Sequence, residues 1–171
     1  MSLSPKAPLV ILGIGNTVRM DDGAGIRAVE ELEKNERIKT FDIAFKYLNT
    51  GGLDILDAID GHQYAIIVDA ASLDDQEYNP GDIIHFPDLY ALKDRYHEEI
   101  SSHSMGVIPV MNFAEIGNYN LPSRVEVYGI QVKETRYFSE ELTEAVRAGV
   151  TRLTSILVKK VISFYNELPL E

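Results

Sequence analysis

Short apolar runs and helical repeats alternate along the chain. Leu9 to Ile14 is almost continuously apolar and is followed by Gly15 and Asn16, which is typical of a strand buried on both faces of a parallel sheet. From Asp22 to about Asn35 the apolar positions recur at helical spacing among charged residues, which predicts a helix. The chain therefore begins with a strand, an acidic loop and a helix.

The same alternation continues towards the C-terminus. A short helix is predicted after Thr50-Gly51-Gly52, and a long helix, capped by Ser139, is predicted to run to about Glu167. Further strands are predicted around Ile43 to Tyr47, Ala65 to Val68, Ile83 to Phe86 and Val125 to Ile130. This order of elements predicts an α/β fold.

Two stretches of the pattern are less regular. Residues 88–102 are mostly polar, and we expect them to form a surface excursion. A helix is predicted from about His103 through Ile116, but Pro109 lacks a backbone N–H donor. The helix therefore either kinks at Pro109 or begins later.

Composition narrows the possible chemistry. The 171 residues are 45% hydrophobic and 25% charged, which suits one ordinary globular domain. The formal net charge of -11 repels phosphate backbones, so nucleic acid is not an expected partner. The absence of cysteine excludes thiolate catalysis and cysteine-based zinc sites. Because the run from Leu9 to Ile14 is too short for a membrane span or a signal segment, we expect a cytoplasmic protein without membrane insertion.

The glycines after the first strand suggest nucleotide binding only weakly. Gly13-Ile14-Gly15 begins like a dinucleotide fingerprint, but Val18 replaces the third glycine. Two acids, Asp21 and Asp22, follow where a pyrophosphate would need a positive dipole. A nucleotide-binding module is therefore a minor alternative.

Three potential metal ligands stand near predicted strand ends or a helix start. Asp22 follows the first strand, Asp69 ends the third, and His103 lies near the start of a predicted helix. Loops at the carboxyl ends of parallel strands meet at one edge of the sheet, so these side chains can converge. Two carboxylates and one imidazole form a ligand set suited to nickel, zinc or similar ions, with coordination positions left open.

Each of these residues also has a plainer explanation. Asp21 or Asp22 could cap the following helix, Asp69 could hold a loop amide, and His103 could be a hydrogen-bonded, partly buried residue. Gly23 and Gly25 are explained by a tight turn that enters a helix. Thr50-Gly51-Gly52 is either a simple turn or a segment that lies along an extended peptide. Only the combination of the three ligands favours a metal site.

The assembled motifs resemble those of the hydrogenase maturation endopeptidases, which remove a C-terminal extension from the large subunit of [NiFe] hydrogenases. The resemblance covers most of the chain up to the last predicted strand, and its motifs occur in the order found in the family. They are Leu12-Gly13-Ile14-Gly15-Asn16, Asp21-Asp22-Gly23-Ala24-Gly25, Thr50-Gly51-Gly52, Ile67-Val68-Asp69-Ala70, Pro80-Gly81-Asp82-Ile83 and Ser102-His103-Ser104-Met105-Gly106.

The resemblance implies a three-layer α/β/α sandwich of the phosphorylase/hydrolase-like kind, built around a twisted, mostly parallel five-stranded sheet. It also implies a metal-dependent endopeptidase whose catalytic and metal-binding residues are Asp22, Asp69 and His103. The nickel would be carried by the large-subunit precursor, and other divalent metals could occupy the same site. Asn16 and the segment Thr50, Gly51 and Gly52 are expected to contact the substrate, and the protein is expected to be a monomer.

Two questions stay open at the level of sequence. The metal could polarise the scissile carbonyl and activate water, or it could only anchor the substrate. Asp22 could instead act as a general base if its surroundings raise its pKa. The rival function is a non-enzymatic nickel carrier or assembly factor that uses the same three ligands, although it does not explain the full set of motifs.

Overall fold

The computed structural model describes residues 6–73, 77–93 and 117–168. The strands in these residues are β1 (Leu9–Ile14), β2 (Ile43–Leu48), β3 (Tyr64–Ala71), β4 (Ile83–Phe86) and β5 (Arg124–Gln131). The α-helices are α1 (Ala24–Glu33), α2 (Asp54–Ile59), α3 (Leu89–Lys93) and α4 (Glu144–Glu167). A short 3-10 turn, Met20–Gly23, directly precedes α1 and carries both acids of the predicted acidic loop.

The five strands form one sheet in the order β2-β1-β3-β5-β4. The first four strands in this order are parallel, and β4 is antiparallel to β5. The chain passes from β1 outwards to β2 and then returns to β3 on the other side of β1. Strand order thus reverses between β1 and β3, and ligands of open α/β sheets bind outside the carboxyl ends of the strands at such a point.

Helices cover both faces of the sheet. Alternate residues of the central strands face opposite sides, so that Leu9 and Ile11 pack towards α1 and α4, whereas Val10 and Leu12 pack towards α2 and α3. This two-sided burial explains why all six residues of β1 are buried and why the strand is continuously apolar in sequence. The predicted three-layer α/β/α sandwich around a mostly parallel five-stranded sheet is confirmed.

The long C-terminal helix has the predicted apolar stripe but not the predicted start. Its buried positions include Val146, Val150, Leu153, Leu157 and Val161, which recur at three- or four-residue spacing. The prediction that Ser139 caps this helix is wrong, because α4 begins at Glu144 with Thr143 as its N-cap residue. Instead, the Ser139 backbone forms a bridge with the segment at Arg19, which holds residue 139 extended.

The polar stretch after Asp88 is only partly a surface excursion. It begins with α3, and Leu89 is 2% exposed in the core under the sheet, so this part of the prediction is wrong. The helix predicted from His103 to Ile116, with Pro109 inside it, lies outside the described residues. In the described parts of the chain, no helix combines the length and the apolar character that a membrane crossing requires.

Candidate active site

The acidic turn Met20–Gly23 folds back against the carboxyl end of β1. The backbone N–H of Asn16 donates to the carbonyl oxygen of Asp22 at 3.2 Å. Gly15 has a φ of +142°, and a Cβ atom there would stand 2.0 Å from the same carbonyl oxygen. Because only glycine combines this φ with such a close approach, Gly15 fixes the position of Asp22 next to the end of the strand.

The first turn of α1 is wedged between two strands. A Cβ atom on Gly25 would lie 2.3 Å from the carbonyl oxygen of Ile14 and 2.5 Å from that of Val68. It would also lie 2.9 Å from the Cα atom of Asp69. Gly25 lies within α1 and is required for space rather than for a turn, and its contacts bring the acidic turn beside the Asp69 position.

The pKa of Asp69 is altered at this edge of the sheet. Burial raises the pKa of the Asp69 carboxyl from 3.8 to about 7, and the negative charge of Asp22 adds to this effect. The backbone N–H of Ala70 donates to Asp69 Oδ1 at 2.7 Å, which acts in the opposite direction. The two predicted carboxylates thus meet where strand order reverses, and they repel each other.

The two neighbouring acids of the turn have different surroundings. Asp21 is fully buried, and its carboxylate accepts hydrogen bonds from the backbone N–H groups of Lys133 and Glu134, both at 3.0 Å. It also accepts from Thr143 through the backbone N–H at 2.7 Å and the hydroxyl at 2.9 Å. Asp21 therefore ties the connection between β5 and α4 to the acidic turn, whereas Asp22 is partly exposed.

The alternative in which one of these acids caps α1 is wrong. The N-cap residue of α1 is Gly23, and no side chain makes a capping hydrogen bond to this helix. The pairing of Asp21 with a distant segment explains the difference, because both of its oxygens are already occupied by donors from residues 133–143. Of the two acids, Asp22 is the one available to a ligand.

The predicted substrate-contacting residues lie in loops at the same edge of the sheet. Asn16 follows β1, is partly exposed, and uses its side-chain oxygen to accept from the backbone N–H of Val18 at 3.1 Å. Thr50 and Gly51 are exposed after β2, and Gly52 has a φ of +110° with open space where a Cβ would be. Since β2 pairs with β1, this loop lies at the edge where Asp22 is found.

The third predicted ligand, His103, lies outside the described residues. Within residues 6–73, 77–93 and 117–168 no group of three metal-ligating side chains comes together. The chemistry of Asp22 and Asp69 nevertheless fits a cation, because a positive ion between two carboxylates would relieve their repulsion and favour the ionised form of Asp69.

A second buried carboxylate, Glu126, has a structural role. It is fully buried on β5, about 10 Å along the strand direction from the level of Asp69. Hydrogen bonds from neighbouring basic and phenolic groups outweigh its burial and lower its pKa to about 2. Its partners are Tyr64, His85, Arg124, Tyr128 and Lys160. Because its charge is fully compensated by these groups, Glu126 offers no open position for a ligand.

Comparison with known proteins identifies the family. Residues 26–160 match the family model described as HycI, hydrogenase maturation protease. The chain belongs to this family. The match begins four residues after Asp22 and includes the positions of Asp69 and His103.

Individual relatives of this hydrogenase maturation protease agree with the family match. The hydrogenase expression/formation protein HupD of Rhizobium leguminosarum bv. viciae is 28% identical over 162 residues, which cover 94% of this chain and 77% of HupD. The fold is similar to that of the hydrogenase maturating endopeptidase HybD from E. coli, with a TM-score of 0.72, 20% identity, and coverage of 91% and 92% of the two chains. The maturation protease HybD from Thermococcus kodakarensis gives a TM-score of 0.68 with 26% identity, over 90% and 98% of the two chains.

Sequence reasoning missed two features of this maturation protease. One is the set of four hydrogen-bond donors around Asp21, and the other is the strongly raised pKa of Asp69. The apolar run before Asp69 is the sequence signal for this raised pKa, because a buried strand places the carboxyl group that follows it at the edge of the core. No local pattern indicates the first, since the partners of Asp21 are three backbone N–H groups and the Thr143 hydroxyl, all more than 100 residues away.

Proposed function

We propose that this maturation protease removes the C-terminal extension of a nickel-loaded [NiFe]-hydrogenase large-subunit precursor and recognises the nickel that the precursor carries. The observation that carries the proposal is the carboxylate pair at the reversal of strand order, in which burial and Asp22 raise the pKa of Asp69 to about 7. A carboxyl group with this pKa is partly protonated at neutral pH and becomes fully ionised when a cation arrives.

The nickel acts in this proposal as part of the substrate. Asp22, Asp69 and His103 complete its coordination, while the remaining positions are filled by precursor groups. A precursor without nickel leaves the two carboxylates to repel each other, so it binds less well at the cleavage site. When the three side chains bind the nickel, they also hold the nearby peptide bond of the precursor in a fixed position beside the site, which favours its cleavage. Nickel loading thus becomes the condition for cleavage.

The reaction itself is hydrolysis of one peptide bond. The oxygen of a water molecule bonds to the carbonyl carbon, the bond between carbon and nitrogen breaks, and the amine leaves with a proton. We assign the transfer of that proton to a carboxylate oxygen of this site, which takes it from the water and passes it to the amine. The products are the shortened large subunit and the released extension.

The experiment compares nickel-loaded and nickel-free precursor with the purified protein, and mass spectrometry detects the released extension. We expect cleavage of the loaded precursor only. Equal cleavage of both would refute nickel recognition, and cleavage of neither would refute the protease function. Tight nickel binding by the isolated protein without any cleavage would favour the carrier instead.

A variant test addresses the ligand outside the described residues. His103→Ala is expected to abolish cleavage and to leave the unfolding temperature unchanged. Asp60→Asn is the matched control, since it removes a carboxylate after α2, away from this edge of the sheet, and should leave cleavage at the wild-type rate. Full activity of His103→Ala would remove that histidine from the site.

A further inference from the structure

Exposed apolar side chains are concentrated near the candidate active site. Within the described residues, the large hydrophobic side chains that are exposed are Val18, Tyr47, Leu53, Tyr137, Phe138 and Ile156. Four of these six lie in loops that follow the carboxyl ends of β1, β2 and β5, the edge that carries Asp22 and Asp69. Phe138 is the most exposed of them, at 85%, and its neighbour Tyr137 is 63% exposed.

The side chain of Phe138 is exposed to solvent, but hydrogen bonds fix the backbone on both sides of it. The next residue, Ser139, pairs with the acidic turn: its N–H donates to the carbonyl of Val18 at 3.0 Å, and its carbonyl accepts from the N–H of Met20 at 2.8 Å. The Asp21 carboxylate binds the connection on both sides of Phe138, at residues 133–134 and at residue 143. The loop is thus attached to the turn that carries Asp22. We call Val18, Tyr137 and Phe138 the aromatic rim.

Charge around the aromatic rim indicates the kind of surface that fits it. Glu140, Glu141 and Glu144 follow Phe138 and are all exposed. Exposed basic side chains also lie in these segments, namely Arg19, Lys133, Arg136 and Arg147, and Arg136 is bound to Glu134 at 2.9 Å. The acidic residues of the same segments outnumber these four bases; they are Asp21, Asp22, Glu134, Glu140, Glu141 and Glu144. With the net charge of -11, this region attracts a partner whose apolar patch is bordered by lysine or arginine.

We propose that the aromatic rim docks the folded body of the precursor, through an apolar pocket on the precursor that is bordered by basic side chains. This inference rests on the proposed function, because it assigns the recognition of that same substrate. Aromatic anchors on rigid supports dominate many protein interfaces by filling preformed pockets, which a folded partner offers and a flexible extension does not. Continuity of the rim with the acidic turn aligns the docked precursor with Asp22 and Asp69.

The test consists of two measurements. The first is the binding of nickel-loaded precursor to the Asp22→Asn protein and to the Asp22→Asn protein that also carries Phe138→Ala. The second is the kinetics of cleavage by the protein that carries Phe138→Ala alone. Truncation of a central aromatic anchor is expected to raise Kd and KM about tenfold while kcat changes less than about twofold. Ile156→Ala is the matched control: Ile156 is also exposed, at 41%, but lies on α4, outside the aromatic rim, so Kd and KM should stay at the wild-type values. Unfolding temperatures of both variants should equal that of the wild type.

The possible outcomes separate the two proposals. Wild-type cleavage together with unaltered Kd and KM for Phe138→Ala would overturn the docking inference and leave the proposed function intact. A wild-type protein that neither binds nor cleaves the precursor would overturn both. If sedimentation shows a dimer that Phe138→Ala converts to a monomer, a second copy of this chain occupies the rim, and the docking inference is wrong.

Discussion

Replacement of Asp69 by asparagine is expected to stabilise the metal-free protein at neutral and alkaline pH. In the folded protein burial raises the pKa of Asp69 to about 7, whereas the ordinary value is 3.8. The folded state therefore binds this proton more tightly than the unfolded chain. Stability is lost as pH rises from about 4 to about 7, because ionising the carboxyl group in its buried position becomes progressively more costly. Asparagine keeps an acceptor for the N–H of Ala70 and does not ionise.

The size of the effect follows from the two pKa values. At about 1.4 kcal/mol for each pH unit between 3.8 and about 7, full ionisation costs about 4 kcal/mol. This figure is an upper limit, because Asp69 keeps part of its surface in contact with water. Asp69→Asn should then exceed the wild type in free energy of unfolding by up to about 4 kcal/mol at pH 8, and the difference should approach zero near pH 4.

Urea unfolding followed by circular dichroism, in the presence of a chelator and at several pH values from 4 to 8.5, measures this difference. Asp60→Asn is the control with the opposite sign, because the N–H of Asn120 and the Lys6 ammonium lower the pKa of Asp60. That variant should lose stability at neutral pH and regain the wild-type value in acid. A stability difference between Asp69→Asn and the wild type that stays constant from pH 4.5 to pH 8 would refute the reasoning.

Three further predictions concern the scaffold. Asp21→Asn should lower the free energy of unfolding by about 2 to 4 kcal/mol in urea titrations, because an amide cannot accept all four hydrogen bonds to the carboxylate; a loss below about 0.5 kcal/mol would contradict this. Gly25→Ala should cost about 3 kcal/mol or more by the same measurement, since its Cβ would overlap two strand carbonyls, and wild-type stability would show that α1 shifts without cost. Burial lowers the pKa of His62 below 6.5, so stability should fall as pH drops below 6.5, where the unfolded chain takes up the proton first. His62→Phe should remove this part of the pH dependence between pH 5 and 7, and an unchanged slope would exclude His62 as its source.

Helices and strands that have a regular pattern of apolar residues were predictable from sequence. β1 is continuously apolar because helices cover both faces of the sheet, and α4 shows its stripe because only one face packs on the sheet. The meeting of Asp22 and Asp69 was predictable for a related reason, since parallel strands bring the loops at their carboxyl ends to one edge.

Features that depend on contacts between distant segments were not predictable. Ser139 has the composition of a helix cap, but its backbone pairs with residues 18–20 and the helix begins five residues later. The sequence pointed to Asp22 as the metal ligand, but it did not show what Asp21 does. The hydrogen bond from Thr143, 122 residues away, makes Asp21 a tether. Phenylalanine is most often a core residue, and the exposure of Phe138 follows only from the way this tether presents the loop.

The central claim is that Asp22 takes part in the chemistry while its neighbour Asp21 only maintains the structure. Cleavage of nickel-loaded precursor by Asp22→Asn and by Asp21→Asn, at a low temperature where both are folded, tests this claim within one pair of adjacent residues. Asp22→Asn should unfold at or above the wild-type temperature, because its repulsion of Asp69 is removed, and should release no extension. Asp21→Asn should unfold at a lower temperature and still cleave. Cleavage by Asp22→Asn at the wild-type rate would contradict the account.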